Sequence, residues 1–330
     1  MKQYLTPKWL LSFAVIFILL LWILSIFWSV EPDTFEPFAI ANQQAEANQE
    51  RLVPGYTITT SLIVVSETLL NKSGGYLSND VIPPSVMMDN MPSWEFGALE
   101  MVRDLALAMR KDFSRSQSQS VENTFLTKAQ PLFNNDSLSW ILPSAESKYQ
   151  EGIDNLYKYR SSLSDTTQQQ GQFYARADNL RDFLKQIEKR LGSFSQRLSV
   201  SVGQERLDTN LAGDAQALQS TPSANKQSEK TSWWQLDDNF YEARGASWAL
   251  LHFLKGVEVD FADVLEKKNA KVSLQQIIRE LEATQESLWS PIVLNGSGFG
   301  MLANHSLVMA NYISRANAAL IELSELLNQG

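Results

Sequence analysis

The sequence predicts an all-α protein in which one N-terminal transmembrane helix carries a large multi-helix bundle. Two observations support this fold class. Residues 9–30 contain no charge, proline or glycine, and most of the remaining chain repeats apolar residues at spacings of three and four, the period of an amphipathic helix. Of the 330 residues, 44% are hydrophobic, which is enough to build the core of one large domain or two smaller ones.

Residues 9–30 are predicted to span a membrane. At 1.5 Å per residue they form a helix of about 33 Å, which matches a hydrocarbon core of about 30 Å. Trp9 and Trp28 stand near its two ends, where indole rings favour the headgroup region. Lysines precede the span and acids such as Glu31 follow it. The positive-inside rule therefore predicts that residues 1–8 are cytoplasmic and that the body lies across the membrane.

The alternative to an anchor is a signal peptide cleaved near the Ala-Ile-Ala triplet at residues 39–41. The apolar region of a signal peptide is about 7–15 residues long, whereas this run is longer and ends well before the triplet. The sequence therefore favours an uncleaved anchor.

The first half of the body is predicted to be helical after a stalk at residues 31–55. Residues 56–71 fit a strand by their β-branched content or a helix that ends before two glycines, and we predict the helix. Residues 74–93 hold two glycines and three prolines and are predicted to form an ordered loop. Further helices are predicted at about residues 94–113, 121–128, 144–163 and 173–198.

The helix predicted at residues 173–198 has the most regular pattern in the chain, an apolar seam opposite a face of mixed charge. Such a seam is typical of coiled-coil packing. It predicts a partner helix, either within the bundle or, as an alternative, in a second copy of the chain. The seam consists of Phe173, Ala177, Leu180, Leu184, Ile187, Leu191, Phe194 and Leu198.

Residues 203–230 have almost no large apolar side chains and are predicted to be a flexible linker. They divide the body into halves at residues 56–202 and 231–330. In the second half, apolar spacing predicts one helix from about Phe240 to Val264 and a last helix that ends near Leu327. Between them, Ser273 and Gln276 match the capping box of a third helix.

Composition excludes several classes of function. With 28 basic and 37 acidic residues the net charge is −9, which disfavours nucleic-acid binding. The absence of cysteine excludes disulfides, thiolate nucleophiles and cysteine-ligated metals. The two histidines, His252 and His305, form no zinc-binding motif. No cofactor, metal site or catalytic set is predicted, and His305 is expected to be a hydrogen-bonded structural residue.

Two clusters allow both a structural and a functional interpretation. Met87, Met88 and Met91 are of the type that binds Cu(I), but core packing is the preferred interpretation. Three tryptophans, Trp233, Trp234 and Trp248, fit either the core or an aromatic contact surface, with the core preferred.

Three blocks of the sequence resemble a known family. They are GGYLSNDVIPPSVMMDNMPSWEFG, DDNFYEARGASWALLHFLK and LNGSGFGMLANHSLVMANYISRANAAL. The chain resembles an uncharacterised family of bacterial single-pass inner-membrane proteins, known as a domain of unknown function. The resemblance implies a periplasmic body and brings no catalytic residues. It covers most of the chain after the anchor and leaves out residues 203–230.

The same blocks contain the polar and aromatic residues that helix packing does not explain, and we predict that these converge on one surface or cleft. The predicted function is a membrane-anchored periplasmic interaction or scaffold module of the cell envelope, with the bilayer and another envelope protein as partners. The alternative is an envelope-acting enzyme or ligand-binding protein that uses a carboxylate, arginine and histidine cleft. The predicted surface comprises Asn79, Asp80, Asp89, Asn90, Trp94, Glu95, Arg103, Asp104, Arg244, Asn304 and His305.

Overall fold

A computed structural model describes residues 7–116, 121–165, 171–207, 226–290, 292–297 and 301–329. Within these ranges the chain forms eleven α-helices and one short antiparallel ribbon, which confirms the predicted all-α class. The helices are α1 Pro7–Trp28, α2 Pro37–Asn48, α3 Tyr56–Asn71, α4 Asn90–Ala108, α5 Thr124–Phe133, α6 Ala145–Ser164, α7 Ala177–Ser199, α8 Leu236–Asp260, α9 Ala262–Lys267, α10 Lys271–Ala283 and α11 His305–Asn328. The ribbon pairs β1 Gln204–Leu207 with β2 Lys226–Glu229.

Helix α1 is long and apolar enough to cross a membrane over Lys8–Trp28, with a mean hydropathy of 2.9. It ends two residues before the predicted limit at residue 30. Its side chains from residue 8 to residue 20 are all exposed, so it leaves the bundle and does not fold back onto it. Its last turn touches the body, where the indole of Trp28 lies against Gly74.

Helix α8 is the central element of the bundle. Its backbone meets that of α4 at two glycines, because a Cβ atom on Gly97 would lie 1.9 Å from the carbonyl oxygen of Glu242, and one on Gly245 would lie 2.0 Å from that of Trp94. About three turns further along α8, α3 packs closely at Gly256, beside Ile58. Small residues at these three positions therefore set how closely the central helices approach.

Residues 56–71 are helical, as we predicted against the strand alternative. The hydroxyls of Thr59, Thr60 and Ser66 each donate to the backbone carbonyl four residues earlier. These bonds satisfy hydroxyl groups that are buried in the core. The start of α3 is held by Asp260, whose carboxylate accepts from the backbone N–H of Ile58 at 2.7 Å.

The long seam of α7 faces the protein's own interior. Leu180, Leu184, Ile187, Leu191 and Leu198 are all buried, and the principal partner of the helix is the antiparallel α11. The seam is thus occupied within one chain, whereas self-association of the protein stays a prediction.

Several boundaries differ from the predictions. Helix α4 begins at Asn90, earlier than expected, and continues through a π-helical turn at Met109–Phe113. Helix α7 begins at Ala177 and leaves Phe173 outside. The capping box at Ser273 and Gln276 is wrong, because α10 already begins at Lys271.

Both halves of the body contribute to one continuous hydrophobic core. The largest packing contacts join elements across the proposed division, α4 with α8 and α7 with α11. The ribbon brings the two ends of residues 203–230 together, with Leu207 opposite Lys226. Residues 208–225 lie outside the described residues, and the flexibility of this segment stays a prediction.

Residues 31–55, predicted to be a stalk, also pack on the body. Ala41 and Ala45 of α2 are buried with Tyr56, because one side of this short helix carries alanines small enough to lie against α3 and α8.

The helix directions define two ends of the bundle. Ser93 bonds Asp238 and Phe113 packs on Phe261, so α4 runs parallel to α8. Corresponding contacts show that α11 is also parallel to α8, whereas α3, α7 and α10 are antiparallel to it. We call the end at which α4, α8 and α11 begin the α1 end, because α1 joins the bundle there.

Candidate functional site

The segment that follows α1 is an extended strap, residues 29–36, bound along α8. Glu31 contacts Arg244, the carbonyl of Asp33 accepts from the indole of Trp248, and Phe35 donates to His252. Five residues of extended chain cover about 16 Å, and the eleven residues of helix from Arg244 to Lys255, which binds Glu36, rise by the same distance. The spacing of the strap residues therefore matches the spacing of their partners on α8 over three helical turns.

Arg244 joins three parts of the molecule. Its guanidinium Nε lies 2.7 and 2.8 Å from the two carboxylate oxygens of Glu31. Its terminal nitrogens donate to the carbonyls of Thr284, Gln285 and Glu286, which follow α10. The side chain is buried, so these charge-assisted bonds fix the strap to the end of α10.

His252 is the second fixed point of the strap. Its Nδ1 lies 2.7 Å from the carbonyl of Trp248, and its Nε2 accepts from the backbone N–H of Phe35 at 2.9 Å. These bonds require the neutral tautomer with the proton on Nδ1. The ring is buried and stacks on Phe35 at 3.8 Å. Burial lowers the pKa of His252 to about 3, so the imidazole is neutral at physiological pH.

Two clefts flank Arg244. A cleft of about 710 Å³ lies between the strap and the end of α10 and is lined by acids, among them Glu31, Glu282 and Glu286. A second cleft of about 480 Å³ is mainly apolar and is lined by Phe240, Leu288 and Tyr312. Both open at the α1 end, where Arg244 is common to them.

Two of the predicted surface residues, Arg244 and His305, line the same apolar cleft. The backbone N–H of Leu294 donates to Nδ1 of His305, and burial lowers the pKa of His305. Next to it, Asn304 caps α11 by accepting from Leu307 and donates to Gly296. Both side chains hold the segment before α11 in place, which agrees with the structural role expected for His305.

Glu95 occupies a buried site of its own. Its carboxylate accepts from the backbone N–H groups of Leu77 and Ser78 and from the Ser78 hydroxyl, and it lies 2.6 Å from the ammonium of Lys72. Burial raises the pKa of Glu95, while Lys72 and the hydrogen-bond donors act to lower it. Donors of the chain itself occupy both oxygens, so this pair holds the loop that precedes α4.

The other predicted residues of this region have separate contacts. Asn79 is buried and donates to Ser139 and Glu146, whereas Asp80 and Asp89 are exposed. Asp89 accepts from the backbone N–H of Asn90 at the start of α4. Trp94 is buried in the core against Trp248, with ring centroids 5.1 Å apart.

Arg103 and Asp104 belong to a network of charges on α4 and α7. Arg103 pairs with Glu100, and Arg190 of α7 pairs with both Glu100 and Asp104. This network lines a groove of about 810 Å³, in which Phe96 is the exposed apolar residue. The hydrogen bonds of the predicted surface residues thus fall into separate groups, and their convergence on one cleft stays a prediction apart from Arg244 and His305.

The methionine cluster and the tryptophan cluster are each split between the core and the surface. Met91 is buried and Met88 is partly buried, as core packing requires, whereas Met87 is exposed. Trp248 belongs to the core, whereas Trp233 and Trp234 are exposed. Within the described residues, no group of three or more histidine, aspartate or glutamate side chains is arranged to hold a metal.

The sequence interpretation missed the strap and its receptors on α8. Glu31 entered only as an acid that follows an apolar span, and His252 only as a histidine outside any zinc-binding motif. A sequence signal was present, since Arg244, Trp248, His252 and Lys255 recur at spacings of three and four on one face of α8.

Fold and site together define an all-α bundle protein whose single apolar N-terminal helix is joined to the body by a bound strap. The chain belongs to a family of uncharacterised proteins conserved in bacteria, DUF2333, whose model matches residues 3–330. This match is wider than the resemblance seen in the sequence, because it also spans residues 9–30 and 203–230. No curated protein and no solved structure matches the chain.

Proposed function

We propose that the protein is a membrane-anchored interaction or scaffold module of the bacterial cell envelope, with residues 1–8 in the cytoplasm and the bundle on the periplasmic side of the inner membrane. The observation that carries this proposal is the strap. A flexible tether leaves a domain free to turn, whereas the bonds from Glu31 to Arg244 and from Phe35 to His252 fix the bundle directly below α1. A fixed orientation is useful to an interaction module, because it keeps one face of the bundle at a constant distance from the membrane.

The chemistry of the candidate residues supports a scaffold over an enzyme. The carboxylate of Glu95 and the imidazole of His252 are buried, and both are bonded to the chain itself. The groove between α4 and α7, with Phe96 among paired charges, is instead a surface of the kind that binds a protein partner.

Topology is tested by cysteine labelling, since the natural chain has no cysteine. In a Gram-negative host, a membrane-impermeant maleimide should label Val272→Cys in intact spheroplasts and should label Gln3→Cys only after lysis. The opposite pattern would contradict the proposed orientation. The mass of the recovered protein distinguishes an intact anchor from a cleaved signal peptide.

The interaction role is tested by a photocrosslinking amino acid at Phe96. A discrete protein adduct is expected from this position and not from Val272, which is exposed at the opposite end of the bundle. Cells that give the same adducts from both positions, or none from either, would contradict a scaffold role for this groove.

A second candidate function is supported by the apolar cleft that contains Arg244 and His305. Phe240, Leu288 and Tyr312 enclose a volume of about 480 Å³, which is within the range of small-molecule sites. This ligand-binding alternative predicts that Tyr312→Ala abolishes retention of a small molecule by the purified protein, as measured by native mass spectrometry, without loss of folding.

A further inference from the structure

We propose that the α1 end of the bundle lies in the headgroup region of the same membrane that α1 spans, held there by exposed apolar side chains of its loops. We call these side chains the apolar rim; they come from the loops before α4 and α6, the turn before α8 and the segment between α10 and α11. The proposal rests on the membrane anchoring proposed above and adds a second site of lipid contact.

The loop before α4 supplies the first part of the rim. It follows α3, which ends at the α1 end, and Gly74 within it touches Trp28, the last residue of α1. Val81, Ile82 and Met87 are all exposed in this loop. The buried pair of Lys72 and Glu95 holds its base, so the apolar residues are presented by a fixed structure.

The loop before α6 lies at the same end. Asn79 donates to the carbonyl of Ser139 and to the carboxylate of Glu146, which joins this loop to the previous one. Between these two contacts Trp140, Ile141 and Leu142 are exposed. Three consecutive large apolar residues in solvent form a patch of the kind that marks a contact with a membrane or a protein.

The remaining parts of the rim come from the second half of the chain. Trp233 and Trp234 form the turn that opens α8, and Trp289 follows α10, close to the carbonyls that Arg244 binds. Trp289 is 100% exposed. On the other side of the same segment, just before α11, Leu302 is exposed as well.

The distribution of tryptophan points to lipid and not to a protein partner. Outside α1, two tryptophans are buried in the core, Trp94 and Trp248, and all four others lie on the rim. Tryptophan is the side chain that most favours the boundary between headgroups and hydrocarbon, because it joins a large apolar surface to one polar N–H group. The rim lies at the end of the bundle from which α1 leaves, so a bilayer that contains α1 must lie next to it.

The charge of the molecule determines the kind of contact. Its net charge of −9 repels anionic headgroups, so the rim must act through burial of apolar surface. Binding should therefore occur on zwitterionic lipid and should be insensitive to salt.

The test uses the full-length protein with single cysteines that carry an environment-sensitive fluorophore. Two matched pairs are available, because Leu142 on the rim and Val121 at the far end are both 92% exposed, while Ile82 and Val272 are 71% and 74% exposed. The four variants are reconstituted into phosphatidylcholine vesicles with and without a lipid that carries a nitroxide near its headgroup. A fifth variant, Leu19→Cys near the middle of α1, reports on insertion of α1, and it is measured with a second lipid whose nitroxide lies deep in the acyl chain.

Probes at Ile82 and Leu142 should emit at shorter wavelength in vesicles and be quenched by the nitroxide lipid, whereas probes at Val121 and Val272 should show neither effect. Quenching at Leu19 without quenching at the rim would overturn this inference and leave the anchor intact. Loss of quenching at Leu19 as well would overturn both. A blue shift at the rim that grows with protein concentration and is not quenched would assign the rim to a second copy and also overturn the inference.

Discussion

At the scale of single residues, the neutral state of His252 makes the strap sensitive to acid. The unfolded chain binds a proton at this histidine below a pKa of 6.5, whereas the folded protein resists protonation down to about 3. The unfolded state therefore binds more protons in this range, and stability falls as the pH is lowered through it.

We expect wild-type protein to lose about 2 kcal/mol relative to His252→Gln between about pH 8 and about pH 5. Glutamine keeps an acceptor for Phe35 but does not titrate. Asp260, whose pKa burial raises to about 7, is present in both proteins and cancels in the difference. Equilibrium denaturation in detergent micelles measures both profiles, and parallel profiles would show that the imidazole has no part in this effect.

The pair of Lys72 and Glu95 gives a second prediction for single residues. Both side chains are buried, with exposed fractions of 3% and 0%. Glu95→Gln leaves the ammonium of Lys72 in the interior without its counter-charge, and we expect a loss of about 3–5 kcal/mol in the free energy of unfolding. Adding Lys72→Met should recover part of that loss.

The matched control is Glu151→Gln, which breaks the exposed pair with Lys148 and should cost less than about 1 kcal/mol. Denaturant titration of the variants measures these differences. If the buried and exposed substitutions cost the same, Lys72 does not depend on Glu95 for its charge.

Neither residue prediction could be made from the sequence, because both depend on distant partners. Glu95 is the second residue of the helix predicted at about residues 94–113, yet its backbone donors are Leu77 and Ser78, eighteen and seventeen residues earlier in the chain. His252 receives its donor from Phe35, 217 residues away. Apolar periodicity indicates which face of a helix is buried. It does not indicate which polar atom of a distant segment bonds to a side chain on that helix.

At the scale of elements, the packing of α4 on α8 depends on two glycines. A methyl group on Gly245 or Gly97 would meet a backbone oxygen at about 2 Å, which the flexibility of a side chain cannot relieve. We expect Gly245→Ala to destabilise the fold by about 1–3 kcal/mol, since the helices must separate.

Gly192 of α7 is the matched control, because its nearest neighbour would be the Asn317 side chain at 3.7 Å. There the same substitution should stabilise by about 0.5–1 kcal/mol through helix propensity. Thermal unfolding of the two variants should thus shift in opposite directions. A shift in the same direction would contradict close contact between the α4 and α8 backbones.

Elements with a repeated apolar pattern were predictable from sequence, and elements held by specific contacts were not. The seam of α7 and the helix at residues 56–71 follow from spacing and from hydroxyls that bond their own helix. The strap and the glycine contacts do not follow from any repeated spacing in the sequence. Phe173 continues the α7 pattern, but it lies outside the helix and packs on Phe113 and Phe261, where tertiary contact overrides the pattern.

At the scale of the whole molecule, the division into two halves seen in the sequence is not a division of the core. The composition of residues 203–230 indicated a linker, yet helices from both sides of it interleave, and α8 packs on α3 and α4 from the first half. Sequence composition indicates which segment does not contribute to the core. Only the packing shows whether the parts on either side of that segment fold independently.

We therefore expect cleavage of the chain between residues 208 and 225 to leave one folded particle. With a protease site inserted there, the nicked protein should elute as a single species and unfold in one transition, because the two fragments share the core and the ribbon of Gln204–Leu207 with Lys226–Glu229. Residues 231–330 expressed alone should not fold, since α8 would expose its faces toward α3 and α4 to water. Size-exclusion chromatography and circular dichroism of the nicked protein and of each fragment provide the test, and two separate transitions in the nicked protein would mean that the halves are independent domains.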